Sequence, residues 1–315
     1  MQISIIRISL LLVILSNISL AQDSSRLKLS AFMASVDSSL NRSDSLAVFH
    51  FLDSMMRSYP SDTDSKNSTI AARIGYNSNI TATGRPFALG NFGLNTGFTY
   101  LHHSGFYGDV TGYLSPEYSP SYFLTTATAG YLFTSKAGKS VTAEYSRFIY
   151  NLADNSSIAY TGTFSLTGFL NWKKINLRTE YNLYHGTKIG HRFTPTISGN
   201  FTRDKLWIFD KIQFWPGAQF LFGMEKIIEY VPYSTDLRII GERFRRGLPV
   251  TIEKFSNKYG LMNTALTIPV NLQKGNWNFM LLYTYNIPVA LPGETLDLSP
   301  GGFFSFSLTK YLSTR

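Results

Sequence analysis

From Thr69 onward the chain alternates apolar and polar residues in runs of roughly ten, and the links between runs are alternately short and long. A period of two places successive side chains on opposite faces, so these runs predict strands with one apolar and one polar face. The pattern recurs over residues 69–79, 90–101, 106–114, 123–134, 141–150, 159–172, 175–185, 193–203, 212–222, 258–272, 277–287 and 303–312. An all-β fold is expected, an antiparallel transmembrane barrel of about twelve strands, with ten as the alternative count, because an even number returns both termini to one side.

Residues 159–172 show how the faces divide. Tyr160, Phe164, Leu166, Leu170 and Trp172 share one face, and Thr161, Thr163, Ser165, Thr167 and Asn171 share the other. Aromatics at both ends of an aliphatic stretch make Tyr160 and Trp172 the expected lipid-facing girdle positions. A run of this length, at ~3.3 Å per step and tilted ~40°, covers about 30 Å, close to the ~25 Å apolar band of such barrels. By the same phase Arg73, Asp109, Glu144, Arg178 and Glu180 face the lumen, where water or opposite charge can meet them. They form either a pore constriction or a set of ion pairs that fills a narrow lumen. The second reading weighs more, because side chains largely fill small barrels.

The connections set an orientation. Short turns are expected at 102–105, 135–140, 173–174, 204–211 and 273–276, and longer loops at 80–89, 115–122, 151–158, 186–192, 223–257 and 288–302. With a periplasmic N-terminus, the long loops lie outside and the short turns inside. The turn at 204–211 is out of character, because Leu206, Trp207, Ile208 and Phe209 are too apolar for one; it is interfacial, or a strand boundary lies a few residues away. The loop at 223–257 exceeds the ~12 to 15 residues beyond which loops are usually functional or disordered. Its three expected roles are a hairpin extended outward, a segment folded into the pore, and a binder of a surface ligand.

The N-terminal sequence has a different period. Residues 1–21 form a secretory signal, with Arg7, an apolar run from Ile8 to Leu15, and the cleavage pattern Ser19-Leu20-Ala21. Leu29, Phe32, Met33, Val36 and Leu40 then follow helical spacing, as do Leu46, Phe49, Leu52 and Met56 after a possible cap at Ser43. Residues 22–68 are therefore expected to form a periplasmic helical hairpin and linker. A position beneath the barrel suits these apolar stripes better than a plug in a polar lumen.

Composition narrows the chemistry. With Cys 0 the chain has neither disulfides nor thiol or zinc-cysteine sites, and no acylated cysteine follows the signal. Aromatics at 15% against charge at 16% suit a surface partly in lipid. The net charge of +9 is spread among turns without a basic run, which argues against nucleic acid. His185 and His191 flank a glycine-bounded loop but lack a nearby carboxylate, so no metal site and no cofactor are expected.

The segments Asp44-Ser45-Leu46-Ala47-Val48-Phe49 and Gly93-Leu94-Asn95-Thr96-Gly97-Phe98, set behind a signal, resemble the functionally uncharacterised outer-membrane β-barrel proteins common in Bacteroidetes. The resemblance runs over nearly the whole length and implies fold and location only. One departure is the ending Tyr311-Leu312-Ser313-Thr314-Arg315, which lacks the terminal aromatic of barrel-assembly signals and leaves Tyr311 to serve that role four residues early.

A second resemblance is narrower. His102-His103-Ser104 is similar to the His-x-Ser pair of outer-membrane phospholipase A and some lipid A deacylases. The Asn-Gly that follows in the phospholipase pattern is absent, no third group to orient the base is evident, and the expected topology puts the pair at the periplasmic leaflet. Catalysis is therefore not expected. The leading expectation is an outer-membrane barrel acting as a narrow, porin-like passive pore for small solutes or as a structural element of a Gram-negative envelope. The alternatives are a lipid hydrolase using His102 and Ser104, and a surface-binding barrel using residues 223–257. Expected partners are outer-membrane lipids, lipopolysaccharide and the barrel-assembly machinery, with the oligomeric state left open.

Overall fold

The structure is a computed structural model that describes residues 68–314 apart from 79–91, 117–118, 136–138, 152–159, 173 and 295–297. The expected signal at 1–21 and the helical segment at 22–68 lie outside the described residues, Ser68 excepted. The strands in chain order are β1 Ser68–Asn77, β2 Gly93–Leu101, β3 Phe106–Leu114, β4 Tyr122–Ser135, β5 Lys139–Tyr150, β6 Tyr160–Trp172, β7 Ile175–Gly186, β8 Gly190–Gly199, β9 Phe201–Leu206, β10 Phe209–Phe214, β11 Gly217–Pro232, β12 Thr251–Lys274, β13 Trp277–Pro288 and β14 Gly301–Thr314. One helix, α1, spans Leu237–Arg245.

All pairings are antiparallel. β1 pairs with β14 from Ser68↔Thr314 to Asn77↔Ser305, β8 pairs with β11, and β11 pairs with β12, so the sheet closes on itself. Twelve strands form the ring, with β9 and β10 continuing β8 and β11 below it. Closure removes the unpaired edges that an open sheet of this size would expose. Both described chain ends lie at one rim, with the short turns; the longer connections lie at the other, except that β7 and β8 are joined there by residues 187–189 alone, shorter than the loop expected over 186–192 because β8 begins at Gly190.

The side chains invert the usual order of a soluble protein. Ile74 and Phe98, at 62% and 63% exposed, point outward, as do Val110, Phe133, Phe164, Leu166 and Phe304, while Asn95, Thr99, Thr111, Thr163, Asn182 and Asn271 are buried within the ring. Outward aromatics also pair with one another, for example Tyr283 with Phe304 at 4.8 Å between ring centroids. Apolar outside and polar inside is the distribution of a transmembrane β-barrel.

Two expected strands, 193–203 and 212–222, are each interrupted. Pro216 has no N–H to give to a ladder. At that break the Trp215 N–H donates to the Pro269 carbonyl at 3.2 Å, and the Pro216 carbonyl accepts from the Gly199 N–H at 2.8 Å. Beyond it β9 and β10 pair with each other down to Leu206↔Phe209, and β10 also pairs with the foot of β12. The true turn is therefore Trp207–Ile208. Its apolar neighbours are strand residues, and Trp207 stands 92% exposed with φ of 56°.

The long connection takes the first of its three expected forms, a hairpin extended outward. β11 loses β8 after Gly223↔Arg192 and β12 gains β13 only at Asn263↔Pro288, so Glu225–Pro232 and Lys258–Thr251 pair only with each other. α1 sits at the tip, capped by the Asp236 side chain, which accepts from the Arg238 N–H at 2.8 Å. The Arg243 guanidinium lies 3.6 Å from the centroid of the Tyr233 ring and its Nε donates to the Pro249 carbonyl at 2.9 Å, holding helix to ribbon.

Candidate functional site

Among the described residues, buried polar and charged side chains converge on the lumen wall, which divides into two arcs. On the arc formed by β1 to β8 the charges lie close together. Arg73, 3% exposed, donates from Nη2 to Asp109 Oδ2 at 3.3 Å and to Thr111 Oγ1 at 2.8 Å, and from Nη1 to Thr99 Oγ1 at 3.4 Å. Thr111 donates in turn to Asp109 Oδ1 at 2.7 Å. With Thr99 Oγ1 also donating to Asp109 Oδ2 at 2.5 Å, this carboxylate has acceptor sites filled from three strands, which offsets the cost of burying an ion pair.

Glycine makes that reach possible. Arg73 must cross β2 to meet β3, and it does so over Gly97, where an added Cβ would stand 2.9 Å from Arg73 Nη2 and 2.5 Å from Thr111 Oγ1. Tyr107 crosses β4 in the same way over Gly130, where a Cβ would meet its ring at 2.5 Å, and donates its hydroxyl to Glu144. The long side chains therefore lie along the wall. On β7, Arg178 pairs with Glu180, whose other oxygen accepts from Asn182 Nδ2 at 2.6 Å, and Ser165 donates to Asn182 from β6.

The opposite arc, from β10 to β14, is built of amides and hydroxyls. Asn263 Nδ2 donates to Asn286 Oδ1 at 2.8 Å, and Asn271 Nδ2 donates to Gln213 Oε1 at 3.2 Å. Thr284, Ser305, Ser307 and Thr309 continue it, all buried. In this arc's part of the ring, the inward phase holds no charged side chain except Lys211, near the rim with the chain ends.

Arg73, Asp109, Arg178 and Glu180 are buried on the inner face, and Glu144, less deeply covered, faces inward with them. Trp172 stands 63% exposed on the outer face. Tyr160 does not join it. A bulge lets Tyr160 pair with Gly186 and Gly162 with His185, and this slip of one residue turns Tyr160 to the inner face, 7% exposed, with its ring 5.3 Å from that of Tyr184. One extra residue reverses the face of everything on one side of it. Tyr107 and Thr111, with the amides of the second arc, were not singled out from sequence, although each lies in the inward phase of its strand.

His102 and Ser104 do meet, with His102 Nδ1 2.8 Å from Ser104 Oγ, in the β2–β3 turn closed by the Gly105 N–H donating to the His102 carbonyl at 2.9 Å. The Ser104 N–H also points at Nδ1, at 3.3 Å. No carboxylate holds the far side of the ring among the described residues, and the nearest aromatic neighbour is His103, 4.0 Å between centroids. The contact is that of a polar turn. His191 Nδ1 lies 2.7 Å from the Tyr181 hydroxyl, while the His185 ring stacks on Tyr145. No group of three metal-ligating side chains occurs among the described residues. A recess of about 540 Å³ is lined by Ile70, Phe98, Tyr100, Val110 and Tyr145, and also by Thr99 and Asp109.

Fold and wall together define a transmembrane β-barrel with a polar interior. Among solved structures the chain is similar to the KdgM porin, at 10% identity with 77% of this chain and 98% of that one covered and a TM-score of 0.43. It is also similar to OmpT, an outer membrane protein of Vibrio cholerae (8%, 80% and 99%, 0.30), and to OccK8 (OprE) of Pseudomonas aeruginosa (8%, 79% and 98%, 0.28). At these scores the likeness lies in general barrel architecture and extends no further. No protein-family model matches the chain, and no curated protein's sequence matches it.

Proposed function

We propose that this chain is an integral outer-membrane barrel whose lumen passes small polar solutes passively, with the N-terminus and short turns in the periplasm. The observation that carries the reading is that Arg73 and Tyr107 reach Asp109 and Glu144 along the wall, over Gly97 and Gly130. A barrel built only as an envelope strut has no need to keep its polar side chains lying on the wall. The apolar outer surface supports placement in a bilayer, and the short-turn, long-loop asymmetry supports the orientation.

Reconstitution into planar bilayers tests the function. Small ohmic current steps are expected from protein that shows heat-modifiable migration. Folded protein that carries no current at any voltage would leave a structural barrel as the reading. Recovery of the native protein in the soluble periplasmic fraction would remove the membrane placement altogether.

A further inference from the structure

The tip of the β11–β12 ribbon carries more than a turn needs, since a hairpin can be closed by two residues. Here residues 233–250 build α1, which is capped at its start by Asp236. Its end is closed by Gly247, at φ of 66°, with the Gly247 and Leu248 N–H groups donating to the Phe244 and Arg243 carbonyls at 3.0 and 2.9 Å. Arg243, resting on Tyr233, fixes the helix to the ribbon. Yet α1 buries none of its residues. Leu237, Ile240 and Phe244, at i, i+3 and i+7, form an apolar ridge along it, and Leu237 and Phe244 stand 81% and 76% exposed.

Charge is placed just as unevenly. Between Tyr233 and Val250 four arginines stand against Asp236 and Glu242, a net charge of +2, whereas the ribbon below sets Glu225 opposite Lys258 and Glu229 opposite Lys254 in register. Arg238 and Arg245 lie two turns apart on one flank of the ridge, and Arg246 follows the helix end. All three are exposed, and none has an ion pair among the described residues.

These features choose between occupants. Like charges on two such tips oppose a second copy of this chain. Ile239, Tyr233 and Leu248 are exposed off the ridge, so apolar side chains surround the tip and are not gathered into the single seam that a protein groove takes. An apolar ridge flanked by arginines is the pattern of a helix lying in the interface of an anionic bilayer, with the ridge at the acyl boundary and the guanidinium groups among the phosphates. The free-standing ribbon, Glu225–Pro232, is about 26 Å long at ~3.3 Å per residue and carries the tip away from the ring.

We infer that the tip, with Leu237, Ile240 and Phe244 as its apolar side and Arg238, Arg245 and Arg246 as its cations, docks on an anionic phospholipid surface facing the rim of long connections. The inference rests on the membrane placement and orientation proposed above and not on the passage of solutes.

The test is co-flotation of the full-length protein, held in nanodiscs of phosphatidylcholine, with vesicles of phosphatidylcholine alone or with about one third phosphatidylglycerol, in low salt. The anionic vesicles are expected to carry at least fivefold more protein than the neutral ones. Arg238→Gln, Arg245→Gln and Arg246→Gln together should lower that flotation at least fivefold, and Leu237→Ser with Phe244→Ser at least threefold. Because these side chains are exposed, both variants should keep heat-modifiable migration. Arg203→Gln, on β9 at the opposite rim, should leave flotation as it is. Failure to enter nanodiscs as a heat-modifiable barrel counts against the membrane placement itself. No preference for the anionic vesicles, or a preference that survives both tip variants, overturns the docking inference. So does flotation lost in the arginine variant but unchanged in the serine pair, which would leave a tip that reads charge alone, as an acidic polysaccharide offers it.

Discussion

The two arcs of the lumen wall solve one problem in opposite ways. Both are inward faces of period-two strands, and both bury polar side chains behind a lipid-facing skin. On the β1 to β8 arc, Arg73, Asp109, Tyr107 and Glu144 reach across whole strands and bind one another, with Gly97 and Gly130 giving the space to do so. On the β10 to β14 arc short amides bond to near neighbours and leave atoms over. Long charged side chains laid over glycine tie together strands that are not neighbours, although Arg73 Nε itself has no hydrogen bond. Short neutral ones bond only from one strand to the next.

Several substitutions separate the arcs by the size of their effect. The largest is expected from Asp109→Ala, which leaves the Arg73 guanidinium buried without its carboxylate and should cost about 3–5 kcal/mol. Urea unfolding in liposomes, followed by tryptophan fluorescence, would show it; a loss under 1 kcal/mol would mean that the ionic arc does not stiffen the wall. Next comes Gly130→Ala, whose methyl group meets the Tyr107 ring and should cost about 1–3 kcal/mol by overpacking. Tyr107→Phe combined with Gly130→Ala should recover only part of that loss, because the added methyl meets ring carbons at 2.5 and 2.8 Å as well as the hydroxyl oxygen at 2.6 Å.

The amide arc should respond less. Replacing both Asn263 and Asn286 by Leu removes a hydrogen bond together with its unmet atoms, and should change stability by about 1 kcal/mol or less. A cost comparable to that of Asp109→Ala would erase the distinction between the arcs. Smallest of all is the effect of replacing residues 233–250 by a short turn, since α1 buries none of its residues, and a stability change within about 0.5 kcal/mol is expected. A large loss there would mean that the ribbon supports the ring.

Much of this was legible along the chain, because alternation is a local property that each strand carries by itself. The faces of Phe164 and Leu166 against Thr163 and Ser165 follow from period two alone, as does the inward phase of Arg73, Asp109 and Glu180. The split at Trp215-Pro216 had a local signal in the proline, and the apolar run from Leu206 to Phe209 signalled that a turn there was misplaced. The bulge that turns Tyr160 inward had no such mark, because the extra residue is defined only by which residues of β7 it faces. Nor did the roles of Gly97 and Gly130, whose missing side chains matter only because Arg73 and Tyr107, from neighbouring strands, lie over them.

By itself the sequence determined that this is an all-β barrel, which residues face lipid and which face inward, and which rim carries the short turns. Those properties arise from side-chain alternation and turn length, and both are written in consecutive residues. Only the tertiary structure decided which inward side chains meet, which face Tyr160 takes, and that the ion pairs form on one arc while the amides bond to one another on the other. Register and ring closure bring together residues as distant as Arg73 and Asp109, or Asn271 and Gln213, and no local pattern encodes that distance.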